Sequence, residues 1–163
     1  MSKPEIQLRP IEKDDNPVIA NIIREVMTEF GCVGNGYSIT DAEVDMMFEN
    51  YNRPGHFYMV LEKDGKIIGG GGIGILPGAD TGTCELKKMY FSTEARGHGM
   101  GRKTVETLLE KAKELGYKKC YLETVSRMES ANILYTKTGF TKLTGPLGNT
   151  GHCSCDSQYL RVL

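Results

Sequence analysis

The first part of the chain is patterned with the period of an α-helix. Asn16 suits the N-cap of a helix and Pro17 its first position, and Gly31 suits its end. Between these limits the apolar residues recur at the helical three-to-four spacing, which predicts one face packed on a core. These residues are Val18, Ile19, Ile22, Ile23, Val26, Met27 and Phe30.

A second helix is predicted after a glycine-rich loop. The segment TDAE, residues 40–43, has the form of a capping box, in which a threonine and a glutamate satisfy the first free amides of a helix. Val44, Met47, Phe48 and Tyr51 then supply an apolar stripe.

From Phe57 the pattern changes to that of strands. The stretch FYMVLEKDGKIIGGGGIGIL predicts two strands joined by a turn at Asp64-Gly65. Its run of glycines, residues 69–72, resembles a phosphate loop, but close packing inside a strand is the favoured interpretation because no helix follows. In the third strand, residues 84–91, the alternation slips at Lys87 and Lys88, and a β-bulge would restore it.

The rest of the chain alternates between helices and strands. A helix after residue 99 ends at Gly116, a strand covers residues 118–125, a short helix ends at Gly139, and a final strand covers residues 155–163. The predicted order is β-α-α-β-β-β-α-β-α-β-β. This order describes one α/β domain over residues 1–163 with a mixed sheet.

Composition narrows the possible functions. Twenty basic and twenty-one acidic residues leave no basic field for nucleic acid, and no apolar run or leader suggests a membrane or an export signal. We therefore expect a cytoplasmic protein. The five cysteines form no C-x-x-C pair, so we expect free thiols and no metal, with Cys153 and Cys155 on one face of a strand.

One glycine-rich segment, STEARGHGMGRKTVETLLEKA at residues 92–112, has features of a ligand-binding site. Its glycines match neither the dinucleotide fingerprint G-x-G-x-x-G nor the Walker loop G-x-x-x-x-G-K-[ST]. Glycines at a helix start nevertheless expose backbone amides and the positive end of the helix dipole. With Arg96, Arg102 and Lys103 beside them, a pyrophosphate is the expected ligand.

Two motifs resemble those of one enzyme family. Arg96, Gly99 and Gly101 match the acyl-CoA motif [RQ]-x-x-G-x-[GA] of the GNAT acetyltransferases, and ANILYTKTGF, residues 131–140, resembles the signature A-x-x-L-Y-x-x-x-G-F of that family. The order of elements also fits. Many relatives carry an asparagine seven residues before the tyrosine, where this chain has Met128, with Asn132 as a candidate substitute.

The resemblance implies a fold, a cofactor and a reaction. The fold is a single mixed, mostly antiparallel sheet flanked by helices, with a bulged central strand. The reaction is direct transfer of an acetyl group from acetyl-CoA, without a metal, to a primary amine of a small molecule or peptide. The residues expected to bind acetyl-CoA are Met89, Tyr90, Phe91, Arg96, Gly97, His98, Gly99, Met100, Gly101 and Arg102.

Two proton-transfer roles follow from the same resemblance. Glu85 is the candidate base for the amine, with a solvent-facing strand carboxylate as the alternative and Glu123 as the substitute. Tyr135 is the candidate that meets the departing thiolate, and a core aromatic residue is its alternative.

The acceptor itself is not predicted. The first two helices, residues 31–38 and the C-terminal strands are expected to surround it, and residues 144–156 either close over it or form a surface connection. The acidic residues of that region, which suit a cationic amine or simply a solvated helix face, are Glu25, Glu29, Asp41, Glu43 and Asp45. We expect no nucleic-acid or membrane partner, whereas a homodimer and a non-catalytic acyl-CoA-binding module both stay open.

Overall fold

The computed structural model describes residues 5–152 and 154–163, and of Ser38 the backbone alone. The predicted order of strands and helices is confirmed. Four short 3-10 turns interrupt it, at Lys13–Asp15, Ser38–Thr40, Ala42–Asp45 and Thr93–Ala95. The elements are β1 (Ile6–Pro10), α1 (Asn16–Glu29), α2 (Met47–Tyr51), β2 (Phe57–Lys63), β3 (Lys66–Ile75), β4 (Thr83–Phe91), α3 (Met100–Glu114), β5 (Lys119–Thr124), α4 (Glu129–Lys137), β6 (Thr141–Lys142) and β7 (Ser157–Val162).

The strands form one seven-stranded open sheet in the order β1-β2-β3-β4-β5-β7-β6. Strands β4 and β5 pair in parallel, and the other neighbours pair antiparallel. Helices α1 and α2 pack on one face of the sheet, and α3 and α4 pack on the other, so that each face has its own apolar core. No helix of the described part of the chain is both long and apolar enough to span a membrane.

The predicted hairpin and the predicted bulge are both present. Asp64 and Gly65 have φ of 52° and 78°, the left-handed values that a tight two-residue hairpin requires. In β4, Tyr90 lies opposite Gly70 and Lys87 opposite Gly72, so two β4 residues share one partner position. Lys88 is one of these two residues, and its φ is 55°.

The glycine run of β3 serves sheet packing, as predicted. A Cβ on Gly70 or Gly72 would lie 2.7 Å or 2.5 Å from the Tyr58 ring. The hydroxyl of Tyr58 in turn donates to the carbonyl of Lys88 at 2.8 Å. The glycines therefore admit the side chain that supports the bulge.

Strands β4 and β5 separate beyond the first three pairs. Their pairing covers Thr83 to Glu85 on β4 and Lys119 to Tyr121 on β5, although β4 continues to Phe91. One edge of β4 pairs with β3. The other edge, which would pair with β5, faces an opening in the sheet over residues 86–91. This opening divides the candidate site into two sides.

Two predictions about helix starts are wrong. Asn16 does not cap α1, because its side chain instead accepts from the amide of Phe48 at 2.8 Å and donates to Glu49, and so caps α2. The segment 40–43 forms no capping box, because the Thr40 hydroxyl donates to the carbonyl of Tyr37 and Glu43 is drawn into an ion pair. Helix α2 accordingly begins only at Met47.

Two smaller predictions also need correction. Val18 belongs to the predicted apolar face of α1 but is exposed. Cys155 lies in the connection before β7 rather than in a strand, and Cys153 lies outside the described residues. The cysteines free of disulfides among the described residues are Cys32, Cys84, Cys120 and Cys155.

Candidate active site

The glycine loop before α3 is shaped by backbone conformation. Gly97 and Gly99 have φ of 80° and 71°, which favour glycine, and a Cβ on either would meet no atom within 4 Å. Gly99 is the N-cap residue of α3 and has no side chain to accept from the first amides of the helix. The first turn of α3 therefore presents free donors to the space above the loop.

A groove of about 430 Å³ lies beside this loop. It runs from the open edge of β4 to α4 and includes Arg127, Ser130, Leu134 and Tyr135 in its wall. Most of the predicted cofactor residues line it, namely Met89, Tyr90, Phe91, Arg96, Gly97, Gly99, Met100 and Gly101. The structure thus brings these residues together around one space.

Two predicted cofactor residues do not line this groove. His98 is exposed on the loop, and the guanidinium of Arg102 pairs with Glu106 at 2.8 Å, one turn along α3. Arg102 lies instead on a separate surface groove that also contains Lys137 and Arg161. Their role in cofactor binding stays a prediction.

Arg96 has a structural partner in addition to its place in the groove. Its guanidinium contacts both oxygens of Glu29, at 2.7 Å and 2.9 Å, and donates to the carbonyl of Phe91. This arrangement ties the end of α1 to the end of β4. The hydrogen bonds from Arg96 lower the pKa of the Glu29 carboxyl, so the pair is charged at neutral pH.

Tyr135 stands where the groove meets the other side of the site. It projects from α4, is 6% exposed and packs against Phe140 and Tyr159. Burial raises the pKa of its phenol, so the hydroxyl keeps its proton. Tyr135 lines the groove and also a smaller pocket on the α1 face of the sheet.

That smaller pocket has a volume of about 60 Å³, and we call it the acceptor pocket because the acceptor is expected beside residues 31–38 and the C-terminal strands. Its wall includes Tyr37, Glu85, Glu123, Tyr135 and His152. They come from β4, β5, α4 and two loops, and the opening between β4 and β5 brings them together.

Glu85 is buried, so the alternative of a solvent-facing carboxylate is wrong. It is 3% exposed, and burial raises its pKa to about 7, although Lys87, His152 and Lys88 partly offset this effect. A carboxyl with such a pKa exchanges a proton readily near neutral pH, which is the property expected of a general base.

Glu123 has the opposite electrostatic character. Burial would raise its pKa, but contacts with His152, Thr150 and Tyr121 outweigh burial and lower it. The Tyr121 hydroxyl donates to Glu123 at 2.9 Å, and the Thr150 hydroxyl donates to its other oxygen. A carboxylate held charged in this way is a poor base, so the structure favours Glu85 for that role.

The site also contains residues that the sequence did not single out for it. Lys88, at the bulge, is fully buried, and its ammonium contacts Asp41 at 2.6 Å and Glu43 at 3.0 Å. The His152 Nε2 lies 2.9 Å from Asp41, and its Nδ1 lies 3.7 Å from Glu123. The break in the strand alternation at Lys88 was a sequence signal for that residue. The place of His152 depends on contacts between distant loops, which a local pattern does not contain.

The acidic residues of the first region are largely paired within the protein. Asp41 and Glu43 contact Lys88, Glu29 contacts Arg96, and Asp45 contacts Arg24 at 2.8 Å. Because positive side chains accompany them, these carboxylates do not form an unopposed negative surface. The expectation that their charge alone suits a cationic acceptor therefore loses its support.

One group in the pocket has the composition of a metal site. Ligand atoms of Glu85, Glu123 and His152 all lie within 4.8 Å of one another. Burial would lower the pKa of His152, but Asp41 and Glu123 outweigh burial and raise it to about 9. The two ring nitrogens of His152 face Asp41 and Glu123, so a cation would bind here only by displacing a proton from the ring.

The position of the missing asparagine is filled by a different arrangement. Met128 lines both the groove and the acceptor pocket. Asn132 donates to the carbonyls of Val125 and Met128, and its oxygen accepts from the Tyr159 hydroxyl at 2.7 Å. Its amide is occupied within the protein and does not line the groove.

Known proteins share the sequence pattern of this chain. The sequence pattern of the Acetyltransferase (GNAT) family matches residues 19–140. The chain is 41% identical over 157 residues to the "Uncharacterized N-acetyltransferase YjgM" of Escherichia coli K12, covering 96% of this chain and 94% of the relative.

Solved structures show the same fold. A GNAT-family acetyltransferase from Staphylococcus aureus aligns with a TM-score of 0.84 at 20% identity, covering 97% of this chain and 99% of that one. The acetyltransferase yncA of Salmonella typhimurium, solved with acetyl-CoA, aligns with a TM-score of 0.76 at 20% identity, covering 97% and 94%.

Proposed function

Because the chain belongs to the GNAT acetyltransferase family, we propose that it is an acetyl-CoA-dependent N-acetyltransferase acting by direct transfer. The acceptor is a primary amine of a small molecule or a peptide. The observation that supports this proposal most strongly is that Glu85 and Tyr135 line one pocket at the opening between β4 and β5. A carboxyl suited to accept a proton and a phenol suited to donate a hydrogen bond thus line the same space.

The groove fits an acyl-CoA molecule in shape and chemistry. The open edge of β4 at residues 89–91 offers backbone groups to an amide-containing arm, and the left-handed glycines leave free space above the first amides of α3. These amides and the dipole of α3 suit a pyrophosphate. Acetyl-CoA bound there would supply the acetyl group as an activated thioester.

Glu85 would remove a proton from the acceptor. An alkylamine with a pKa near 10.4 is neutral in roughly one molecule of 2,500 at pH 7, which is a handicap of about 4.6 kcal/mol. A carboxylate with a pKa near 7 in the pocket accepts that proton locally. The other carboxylates near the pocket, Asp41, Glu43 and Glu123, have lowered pKa values and are less suited to do so.

Tyr135 would act at the thiolate. Its hydroxyl remains protonated because burial raises the pKa, and it faces both spaces of the site. Even an unperturbed phenol is a weaker acid than a thiol by roughly 2 kcal/mol, so donation of a hydrogen bond is the principal contribution expected before full proton transfer.

The proposal is tested by the release of free CoA thiol from acetyl-CoA. A panel of amines, amino acids, polyamines and peptides is offered to the purified protein, and acetylated products are identified by mass spectrometry. We expect at least one amine to give stoichiometric thiol and N-acetyl product. Binding of acetyl-CoA without turnover of any amine would instead favour a non-catalytic acyl-CoA-binding module.

A competition experiment tests the cofactor separately. Ligand that binds the native state raises the melting temperature by mass action. We expect acetyl-CoA to raise it more than NAD or ATP at equal concentration. Tighter binding of NAD or ATP than of CoA in calorimetry would contradict the proposal.

A further inference from the structure

The acceptor pocket is covered by two loops that contact each other directly. The amide of Ser154 donates to the carbonyl of Gly36 at 3.0 Å, and the Ser154 hydroxyl donates to the carbonyl of Asn35 at 3.1 Å. On the opposite side, the amide of Leu147 donates to the Tyr121 hydroxyl at 3.1 Å. Residues 144–152 and 154–156, which we call the cover, are therefore held against residues 35 and 36, and His152 and Cys155 of the cover line the pocket.

His152 is the charged contact between this cover and the rest of the pocket. Its ring lies between the carboxylates of Asp41 and Glu123, with nitrogen–oxygen distances of 2.9 Å and 3.7 Å. The imidazole side chain is only 10% exposed. An ion pair that is largely removed from water is screened little by salt, and removing one partner leaves the other charge uncompensated.

The two loops line the acceptor pocket together. Tyr37 belongs to the first loop, and His152 and Cys155 belong to the second. An acceptor that reaches Glu85 through this pocket therefore lies against both loops. The contact between His152 and Asp41 joins the second loop to the segment that follows the first, so it fixes how far apart they lie.

We propose that His152 is a positioning residue for the acceptor, which holds the cover to Asp41 and thereby closes the pocket around the amine beside Glu85. This inference rests on the proposed function for its consequence in catalysis. The clasp itself, defined as the contacts of His152 with Asp41 and Glu123, is a property of the fold.

The clasp also affects Glu85 electrostatically. The positive charge of His152 favours the carboxylate form of Glu85, so its loss moves the ionisation of Glu85 to higher pH. The charged and titratable groups around Glu85 come from β4, β5, α2 and the cover, and they are Lys87, Lys88, Cys120, Tyr121, Glu123, Tyr51, His152 and Cys155. His152 is the positively charged member of the clasp among these groups.

Steady-state kinetics of His152→Gln with the best amine of the panel test the proposal. We expect the acceptor KM to rise about tenfold and the acetyl-CoA KM to stay within about twofold of wild type. The acid limb of the kcat/KM profile should move to higher pH. His152→Lys, which keeps a positive charge beside Asp41, should recover part of both effects.

A double-mutant cycle distinguishes the clasp from a general loss of stability. Asp41→Asn should raise the acceptor KM as His152→Gln does, and it also weakens the ion pair with Lys88. Adding His152→Gln to Asp41→Asn should therefore have a much smaller effect than His152→Gln has in wild type, since their shared contact is already lost. Asp45→Asn is the matched control, because it removes a carboxylate of the same segment that pairs with Arg24 at the surface. Independent, additive effects of Asp41→Asn and His152→Gln would overturn the proposal.

Hydrogen exchange tests the clasp without turnover. In His152→Gln, the amides of Leu147 and Ser154 should exchange faster while those of β2 and β3 stay protected, which also shows that the variant is folded. Unchanged exchange would overturn the clasp, whatever the kinetics. If wild type acetylates no amine, the proposed function fails, yet faster exchange in the variant still supports the clasp as the closure of the pocket.

Discussion

The two sides of the opening between β4 and β5 are lined by different kinds of groups. On the α3 side, a groove of about 430 Å³ is lined by the glycine loop, the end of β4 and α4. On the α1 side, a pocket of about 60 Å³ includes several ionisable side chains and residues of two loops. Backbone amides of a glycine loop and a helix start can recognise the part of a ligand that every reaction shares, whereas a pocket of ionisable side chains recognises the part that differs.

The same difference decides the electrostatics. The first turn of α3 contributes partial charges fixed by helix geometry, which no protonation event changes. The acceptor pocket instead contains Glu85 with a pKa of about 7 and His152 with a pKa of about 9. We therefore expect pH to control events on the acceptor side and to leave cofactor binding nearly unchanged between those values.

The largest effect is expected from Gly99→Asp. This change places a negative charge at the N-terminus of α3, where the pyrophosphate is proposed to bind, so the affinity for acetyl-CoA should fall by more than about 100-fold. Calorimetry with acetyl-CoA measures it. The fold should survive, because a Cβ at Gly99 meets no atom within 4 Å.

Gly99→Asn is the matched control for this change. Asparagine and aspartate have nearly the same shape, and both tolerate the left-handed φ of 71° better than most residues. The asparagine variant should therefore lose far less affinity than the aspartate variant. Equal losses would show that bulk, and not charge, is excluded from this position.

The next effect is expected from Tyr135→Phe, which tests where the two sides meet. The ring and its packing against Phe140 and Tyr159 are kept, so the melting temperature and acetyl-CoA affinity should change little. Loss of the hydroxyl should lower kcat by about 10²-fold or more, within the range for a positioned proton donor. Wild-type turnover by this variant would refute the role carried over from the family.

Much of the α3 side could be predicted from the sequence, because its determinants are local. Gly97, Gly99 and the start of α3 lie within a few residues of one another, so a short pattern contains them all. The bulge was predictable for the same reason, since the alternation within β4 slips at Lys87 and Lys88. The partner of Arg96 was not predictable, because Glu29 is 67 residues away.

The acceptor side could not be predicted in the same way. The acceptor pocket combines Glu85, Glu123 and His152, and His152 also contacts Asp41, so the contacts cross four separate segments. Glu85 and Glu123 look alike in a strand pattern. The difference in their pKa arises from the deeper burial of Glu85 and from the hydrogen bonds that Glu123 receives from His152, Thr150 and Tyr121. The error at the segment 40–43 has the same cause, because Lys88 binds the glutamate that a capping box would need.

Glu85→Gln is expected to show a loss that depends on pH. At pH 7 the loss of kcat/KM should be about 10²-fold, because no base then removes the proton of the ammonium ion. In wild type the rate should rise as Glu85 deprotonates near pH 7, and the variant should lack this step. Profiles of kcat/KM against pH measure both.

The deficit of Glu85→Gln should also shrink toward the pKa of the amine, where solvent supplies the neutral form. Glu123→Gln provides the comparison, since the pKa of Glu123 is lowered and its carboxylate is held by Tyr121 and Thr150. That variant should retain the ionisation near pH 7. If the rise of kcat/KM near pH 7 were lost in Glu123→Gln and kept in Glu85→Gln, Glu123 would be the base in place of Glu85.

The smallest effect on activity is expected from Asn132→Leu, which asks whether the α3 side depends on a side-chain amide after all. Asn132 makes three hydrogen bonds, to Val125, Met128 and Tyr159, and lies outside the groove lining. Their loss should cost about 1–3 kcal/mol of stability, and the melting temperature should fall by several degrees. The affinity for acetyl-CoA should stay within about twofold of wild type when measured well below the melting temperature. A selective loss of affinity with unchanged stability would show instead that Asn132 replaces the asparagine that Met128 displaces, and that the groove uses more than its backbone to bind the cofactor.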